Sequence, residues 1–192
     1  MSLRPPAKSS REEAASSPPV SVNVRWETFT VVGSTLEHLC RAIEMLAPRR
    51  AGALHGAYTA WEVRWSYAPA RNEHGYRASD ARVTVNVQCT LPRWRPPAST
   101  AAPLVDRWSS YLDALEVHEQ GHIDLAVAAG AAVQEALQAL TPCSSTAALE
   151  RSAEETTSAV IEEFRRREVD YDVATEHGAL QGVRLDAAAR RG

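Results

Sequence analysis

A helical pattern of apolar residues, from Leu104 to Leu140, constrains the fold of this 192-residue chain more than any other feature. Apolar side chains recur along it at steps of three and four, which is the period of one face of an α-helix. His118 and His122 occupy two of these positions. We therefore predict a long helix over about Ala102–Leu140 that carries two stacked imidazoles on its buried side.

The two histidines belong to the segment His118-Glu119-Gln120-Gly121-His122. Side chains at i and i+4 are neighbours on a helix, so both imidazoles can reach one metal ion. Glu119 points about 100° away, where it can hold a metal-bound water without binding the metal itself. This H-E-x-x-H arrangement is typical of zinc hydrolases and predicts Zn2+ on His118 and His122, with Glu119 as general base. The alternative is two core histidines whose nitrogens have protein partners.

Gly121 is unusual inside a helix, where glycine costs about 1 kcal/mol relative to alanine. We expect a substrate or a neighbouring element to pack closely against it. Because Gly121 lies between Glu119 and His122, that contact is predicted to be next to the metal ion.

A catalytic zinc ion usually has three protein ligands and an open position for water. The segment Val169–Ala179, which follows the second predicted long helix, offers the third ligand. His177 beside Gly178 is the first candidate; Asp172 is the alternative ligand, or an acceptor that orients one of the histidines. Tyr171 is predicted to stabilise the transition state or to polarise a substrate carbonyl. The alternative for this segment is a C-terminal loop with a surface histidine.

Three further histidines, His38, His55 and His74, lack the spacing of metal ligands. His38 lies beside the apolar stripe of a predicted helix, and the other two each precede a glycine in a predicted loop. We do not expect any of them to bind the metal.

The rest of the pattern predicts an α+β domain, with a small antiparallel sheet packed beside the H-E-x-x-H helix and a second long helix. The predicted elements are strands over Val20–Val32, Tyr58–Tyr67 and Ala81–Leu91, a hairpin loop over Arg71–Ser79, and helices over Thr35–Ala47 and Ser145–Arg167. We place the domain at residues 20–182, with a disordered tail or linker at 1–19 and a C-terminal tail at 183–192.

The composition argues against several classes of partner. A formal net charge of −3 gives no reason to expect nucleic acid. No apolar run approaches the ~20 residues that span a bilayer. Met1–Pro19 is polar and contains no export signal, which leaves open both a cytoplasmic protein and one whose signal has been replaced. Cys40, Cys89 and Cys143 lack C-x-x-C spacing; if two of them pair, we expect Cys89 with Cys143.

Two segments carry a resemblance to known proteins. One is His118–His122, and the other is Tyr171-Asp172-Val173-Ala174-Thr175-Glu176-His177-Gly178. The second is similar to the Tyr-Asp-x-x-Thr-x-His-Gly signature of a bacterial family called domain of unknown function 922, whose members are described as secreted zinc-dependent proteases. The resemblance covers about Val20–Gly182 and implies a zincin-like protease that is periplasmic or secreted.

These features together predict a zinc-dependent hydrolase, a metallopeptidase that acts on a peptide or protein substrate. His118, His122 and His177 are the predicted ligands, Glu119 the general base and Tyr171 the transition-state stabiliser. One alternative is a hydrolase of another bond, such as an amide in the cell envelope. Another is a non-catalytic envelope or binding module in which zinc staples the long helix to the C-terminal loop. A third is a metal-free adhesion or scaffold domain.

Overall fold

Residues 20–47 and 56–185, which this computed structural model describes, form a three-stranded sheet with two long helices on one face. This is the predicted α+β class. In chain order the elements are β1 (Val20–Val31), α1 (Leu36–Leu46), β2 (Tyr58–Asn72), β3 (Gly75–Trp94), α2 (Ala102–Gln138), α3 (Thr146–Thr175) and a 3-10 turn (Ala179–Gln181). The predicted tail at 1–19 lies outside the described residues. At the other end, the chain stays packed on the domain as far as Leu185, which is buried.

The sheet is mixed, with β3 in the centre and β1 and β2 at the edges. β2 and β3 form the predicted antiparallel pair, whereas β1 runs parallel to β3. β1 ends opposite Trp94 and β2 begins opposite Thr90, so both lie at the same end of β3. β1 and β2 therefore run in opposite directions, and because β2 is antiparallel to β3, β1 is parallel to β3.

The hairpin of β2 and β3 is longer than predicted and ends in a tight turn at residues 73 and 74. The predicted loop over Arg71–Ser79 is therefore wrong. At the turn, the Asn72 side chain accepts a hydrogen bond from the backbone N–H of His74 (2.9 Å). Reciprocal backbone hydrogen bonds between Tyr76 and Cys143, each 2.8 Å, tie the end of the hairpin to the loop before α3. This tertiary contact extends the strands beyond the region that the helices cover.

α2 lies across the sheet and buries its apolar face. A Cβ at Gly130 would overlap Cγ2 of Val85, so this glycine allows the helix to approach the sheet closely. One core cluster fills the space between the sheet, α2 and α3, and a second joins the start of α2 to α1 and the ends of β1 and β3. The opposite face of the sheet is polar, as in the hydrogen-bonded row Asn23–Asn86–Glu62. The helices therefore cover one face only.

None of the three cysteines, all of which lie within the described ranges, forms a disulfide. Cys89 is fully buried on β3 and Cys143 lies in the loop before α3, so the pair considered from the sequence does not form.

Among the helices that the structure describes, none combines the length and apolar character needed to cross a bilayer, as the sequence predicted.

α3 continues past its predicted end at Arg167 and ends at Thr175. Tyr171 and Asp172, predicted in a loop, therefore lie on a helix, and that part of the prediction is wrong. The physical reason is that the last turns of α3 pack on α2 through polar and aromatic side chains rather than through an apolar stripe. His177 follows the helix end, where Glu176 adopts a left-handed backbone conformation.

Candidate metal centre

His118 and His122 lie one turn apart on the inner side of α2, as predicted. Their exposed fractions are 5% and 8%, and their ring centroids are 5.0 Å apart. Burial of two imidazoles requires partners for four ring nitrogens. The surroundings of these nitrogens therefore indicate what the site can bind.

One nitrogen of each imidazole faces Asp172 of α3. The Nε2 atoms of His118 and His122 lie 3.2 and 3.1 Å from the same carboxylate oxygen, Oδ1. The three donor atoms lie within 4.8 Å of one another, and this is the one such group of metal-binding side chains found among the described residues. Two imidazoles and a carboxylate are a donor set that Zn2+ accepts in catalytic sites. Of the two candidate third ligands, the structure brings Asp172 to the histidines.

His177 lies on the other side of the Asp172 carboxylate. Its Nδ1 is 3.8 Å from Oδ2 of Asp172, and its side chain is half-exposed. Gly178, at a φ of +80°, lets the backbone pass beside His118, since a Cβ there would lie 3.0 Å from Cγ of that imidazole. His177 is thus adjacent to the three donor groups without being one of them, and its role as ligand stays a prediction.

The second nitrogen of each imidazole faces an oxygen acceptor that the sequence did not reveal. Nδ1 of His118 is 2.9 Å from Oε1 of Gln181, on the 3-10 turn. Nδ1 of His122 is buried without a partner at hydrogen-bond distance, and Oε1 of Glu168 lies 3.6 Å away. Metal-binding histidines usually donate this second N–H to such an acceptor, which fixes the ring and its tautomer. Glu168 precedes Asp172 by one helical turn, a spacing that becomes visible only once α3 is known to continue.

Glu119 points from α2 towards the sheet and is 3% exposed. Its Oε2 accepts a hydrogen bond from the hydroxyl of Thr59 on β2 (2.6 Å). Burial raises the pKa of this carboxyl group, although Thr59 and the two imidazoles oppose the rise. A glutamate whose pKa is raised in this way is suited to accept and return a proton near neutral pH. Thr59 was not predicted as a site residue, because a single hydroxyl on a strand carries no sequence signal.

Tyr171 fills the space against Gly121. Its ring stacks on His118 at 5.2 Å between centroids, and a Cβ at Gly121 would lie 2.8 Å from Cε1 of the tyrosine. The close contact predicted at Gly121 is therefore confirmed, and the neighbouring element is α3. The hydroxyl donates to the backbone carbonyl of His118 (3.1 Å) and accepts from Nε2 of Gln181 (3.1 Å). It thus has protein partners, and its transition-state role stays a prediction.

The charges around the imidazoles fit a cation. Burial lowers the pKa of His122, but the carboxylates of Asp172 and Glu168 outweigh it and raise that pKa to about 9. Burial acts against ionisation of Asp172, yet hydrogen bonds to His118 and His122 hold its pKa well below the usual range. Three carboxyl groups, those of Glu119, Glu168 and Asp172, lie around two imidazoles. A dication at the Nε2 atoms would compensate this excess of acceptors, so the residues present fit zinc.

The other histidines lie elsewhere or outside the described residues. His38 is exposed on α1, and His74 is exposed at the turn of the hairpin. His55 lies outside the described residues. Neither His38 nor His74 belongs to the group of donor side chains formed by His118, His122 and Asp172.

Comparison with known proteins gives a match at the level of a family. No curated protein matches the chain, and no solved structure matches it. A family model described as a bacterial protein of unknown function (DUF922) matches residues 26–178, a range that contains both histidines of α2, Tyr171, Asp172 and His177. The chain therefore belongs to this bacterial family of unknown function.

Proposed function

We propose that this protein is a zinc-dependent hydrolase and that the bond it cleaves is a peptide bond. The support comes from the residues around His118 and His122, because the matching family is one of unknown function. The proposed compartment, the periplasm or the cell exterior, rests on the family resemblance alone.

One observation carries the proposal: both imidazoles direct Nε2 towards the same point and Nδ1 away from it. The two Nε2 atoms share Oδ1 of Asp172, while the two Nδ1 atoms face Gln181 and Glu168. Histidines that merely filled a core would need partners, but they would not need to direct the same ring nitrogen to one point. Such convergence is the arrangement of metal-binding histidines on adjacent turns of a helix.

The roles follow from the positions. His118 and His122 would hold the zinc, with Asp172 or His177 as the third ligand. When bound, zinc would lower the pKa of a coordinated water towards 7 and polarise the substrate carbonyl. Glu119 would take a proton from the attacking water and pass it to the leaving amine. The Thr59 hydroxyl donates a hydrogen bond to Oε2 of Glu119, so Oε1 is the oxygen that would accept the proton from the water and pass it on.

A second candidate function is a zinc-stapled module without catalysis. It is favoured by the position of Asp172, which already contacts both Nε2 atoms, and by His177 on its other oxygen. Four protein ligands would close the coordination shell, as in structural zinc sites. In that case α2, α3 and the segment after α3 would be held together by the metal and Glu119 would be dispensable.

Glu119→Gln separates the two functions. The zinc-loaded wild type and variant are compared for zinc content and for cleavage of an unstructured protein such as casein and of a peptide library. Glu116→Gln is the matched control, because Glu116 is an exposed glutamate on the same helix. The hydrolase proposal predicts unchanged zinc content and a loss of turnover of at least about a hundredfold in Glu119→Gln only. Equal cleavage by wild type and Glu119→Gln would exclude the proposed mechanism.

A further inference from the structure

A chain of polar contacts leads from His122 to strand β2. Oε1 of Glu168 lies 3.6 Å from Nδ1 of His122, and Oε2 of Glu168 accepts a hydrogen bond from Nη1 of Arg165 (3.0 Å). Nη2 of Arg165 donates to the backbone carbonyl of Trp61 (2.5 Å), and its guanidinium carbon lies 3.5 Å from the centre of the indole ring. The contacts thus connect α2 to the sheet through α3.

The pair Arg165–Glu168 differs from the other ion pairs on α3. Arg166 and Arg167 both pair with Glu163 at the surface, where such pairs contribute little to stability. The Glu168 side chain is 14% exposed, against 43% for Glu163. Withdrawing a carboxylate from water costs free energy, which a salt bridge often does not recover. The Arg165 side chain is 42% exposed, so Glu168 is the buried member of the pair. A largely buried carboxylate that lies against the His122 imidazole calls for a role other than stability.

We propose that Glu168 is a positioning residue for His122, that Arg165 holds Glu168 and that Trp61 holds Arg165. This inference rests on the proposed zinc site. Glu168 is the acceptor nearest to Nδ1 of His122, so it favours the tautomer with hydrogen on Nδ1 and a lone pair on Nε2. Arg165 holds the Glu168 carboxylate by a hydrogen bond to its other oxygen. The guanidinium group of Arg165 is itself held by Trp61, because it stacks on the indole ring and donates to the backbone carbonyl.

The test measures zinc affinity of the full chain by competition with a chromophoric chelator. Glu168→Ala should weaken zinc binding roughly tenfold to a hundredfold, as for other residues behind a metal ligand. Glu168→Gln, which keeps an acceptor oxygen, should weaken it less. Arg165→Met should weaken binding when Glu168 is present and have no further effect in the double variant. Arg166→Met is the matched control and should leave the affinity unchanged.

A spectroscopic measurement distinguishes positioning from general destabilisation. In the zinc-loaded wild type, 15N-edited NMR should show a slowly exchanging Nδ1–H on His122, and Glu168→Ala should lose it while His118 keeps its own. Circular dichroism checks that each variant is folded. If Glu168→Ala fails to fold, Glu168→Gln and Arg165→Met carry the test.

The outcomes separate the inference from the function on which it rests. Wild-type affinity in the Glu168 variants, with zinc bound to the wild type, would overturn the positioning role and leave the zinc site standing. Additive effects of the two substitutions would overturn the part assigned to Arg165. A wild type that binds no zinc would overturn the proposed function and this inference with it.

Discussion

Gly121→Ala is the substitution that most directly perturbs the packing of α3 on α2, the helix that carries His118 and His122. Its Cβ would lie 2.8 Å from Cε1 of Tyr171 and closer still to Cζ and the hydroxyl oxygen, whereas real Cβ atoms essentially never come under 3.0 Å. The ring cannot swing away, because it stacks on His118 and meets the edge of His122 at 5.1 Å. The substitution must therefore push α3 away from α2.

Two opposing contributions set the magnitude. Overpacking at a confined ring costs about 3 kcal/mol, the upper end of the usual range. Alanine in place of glycine gains about 1 kcal/mol in a helix interior. The free energy of unfolding should thus fall by about 2 kcal/mol, or about 4–8 °C in Tm for a chain of this size. Zinc affinity should fall by about tenfold or more, because Asp172 moves with its neighbour Tyr171.

Urea denaturation followed by far-UV circular dichroism measures the effect on stability. In a Tyr171→Ala background the new methyl group meets no ring, so Gly121→Ala should there stabilise the protein by up to about 1 kcal/mol. A change of sign between the two backgrounds is the expected result. A Gly121→Ala protein as stable as the wild type, or the same loss with and without the ring, would refute the packing argument.

Further substitutions and pH test the remaining groups. Zinc binding should release a proton from His122, because the pKa of this histidine is about 9 against an ordinary 6.5. Zinc affinity should therefore rise about tenfold per pH unit from pH 7 to 8.5 and level off above pH 9. Zinc affinity that does not change with pH in calorimetry would contradict this. Without metal, the same raised pKa stabilises the fold fully below pH 6.5, and this contribution is lost as pH rises through about 9, which urea midpoints at pH 6 and 10 measure. Thr59→Val should leave zinc content unchanged and lower turnover about tenfold, because Glu119 loses its hydrogen bond; unchanged turnover would contradict it. Asp172→Ala should weaken zinc binding more than His177→Ala if Asp172 is the third ligand, and chelator competition ranks the two.

The sequence predicts α2 well, because the signal for this helix is local. Apolar residues at helical spacing continue through the two histidines, so one periodic pattern fixes both the helix and the face on which His118 and His122 lie. Gly121 adds a second local signal. A glycine inside a helix lowers its stability, so its presence indicates that another side chain packs against the helix backbone there. The α+β class follows in the same way from the alternation of strands and helices.

The rest of the site depends on contacts between distant segments. The last turns of α3 carry Glu168, Tyr171 and Asp172, whose polar groups bind α2, so no apolar stripe marks that stretch as helical. Thr59 reaches its partner only through the packing of β2 under α2. Likewise, alternation along β1 predicts a strand but not its neighbour or its direction, which depend on pairing with the distant strand β3.

The zinc content of the chain shows whether His118 and His122 bind a metal ion. The protein is purified without added metal, and elemental analysis compares the wild type with His122→Ala and with the control Glu116→Gln. We expect about one zinc per chain in the wild type and the control, and a clear loss in His122→Ala. No zinc in the wild type, even after incubation with zinc and dialysis, would mean that His118 and His122 are core residues and would exclude the zinc site.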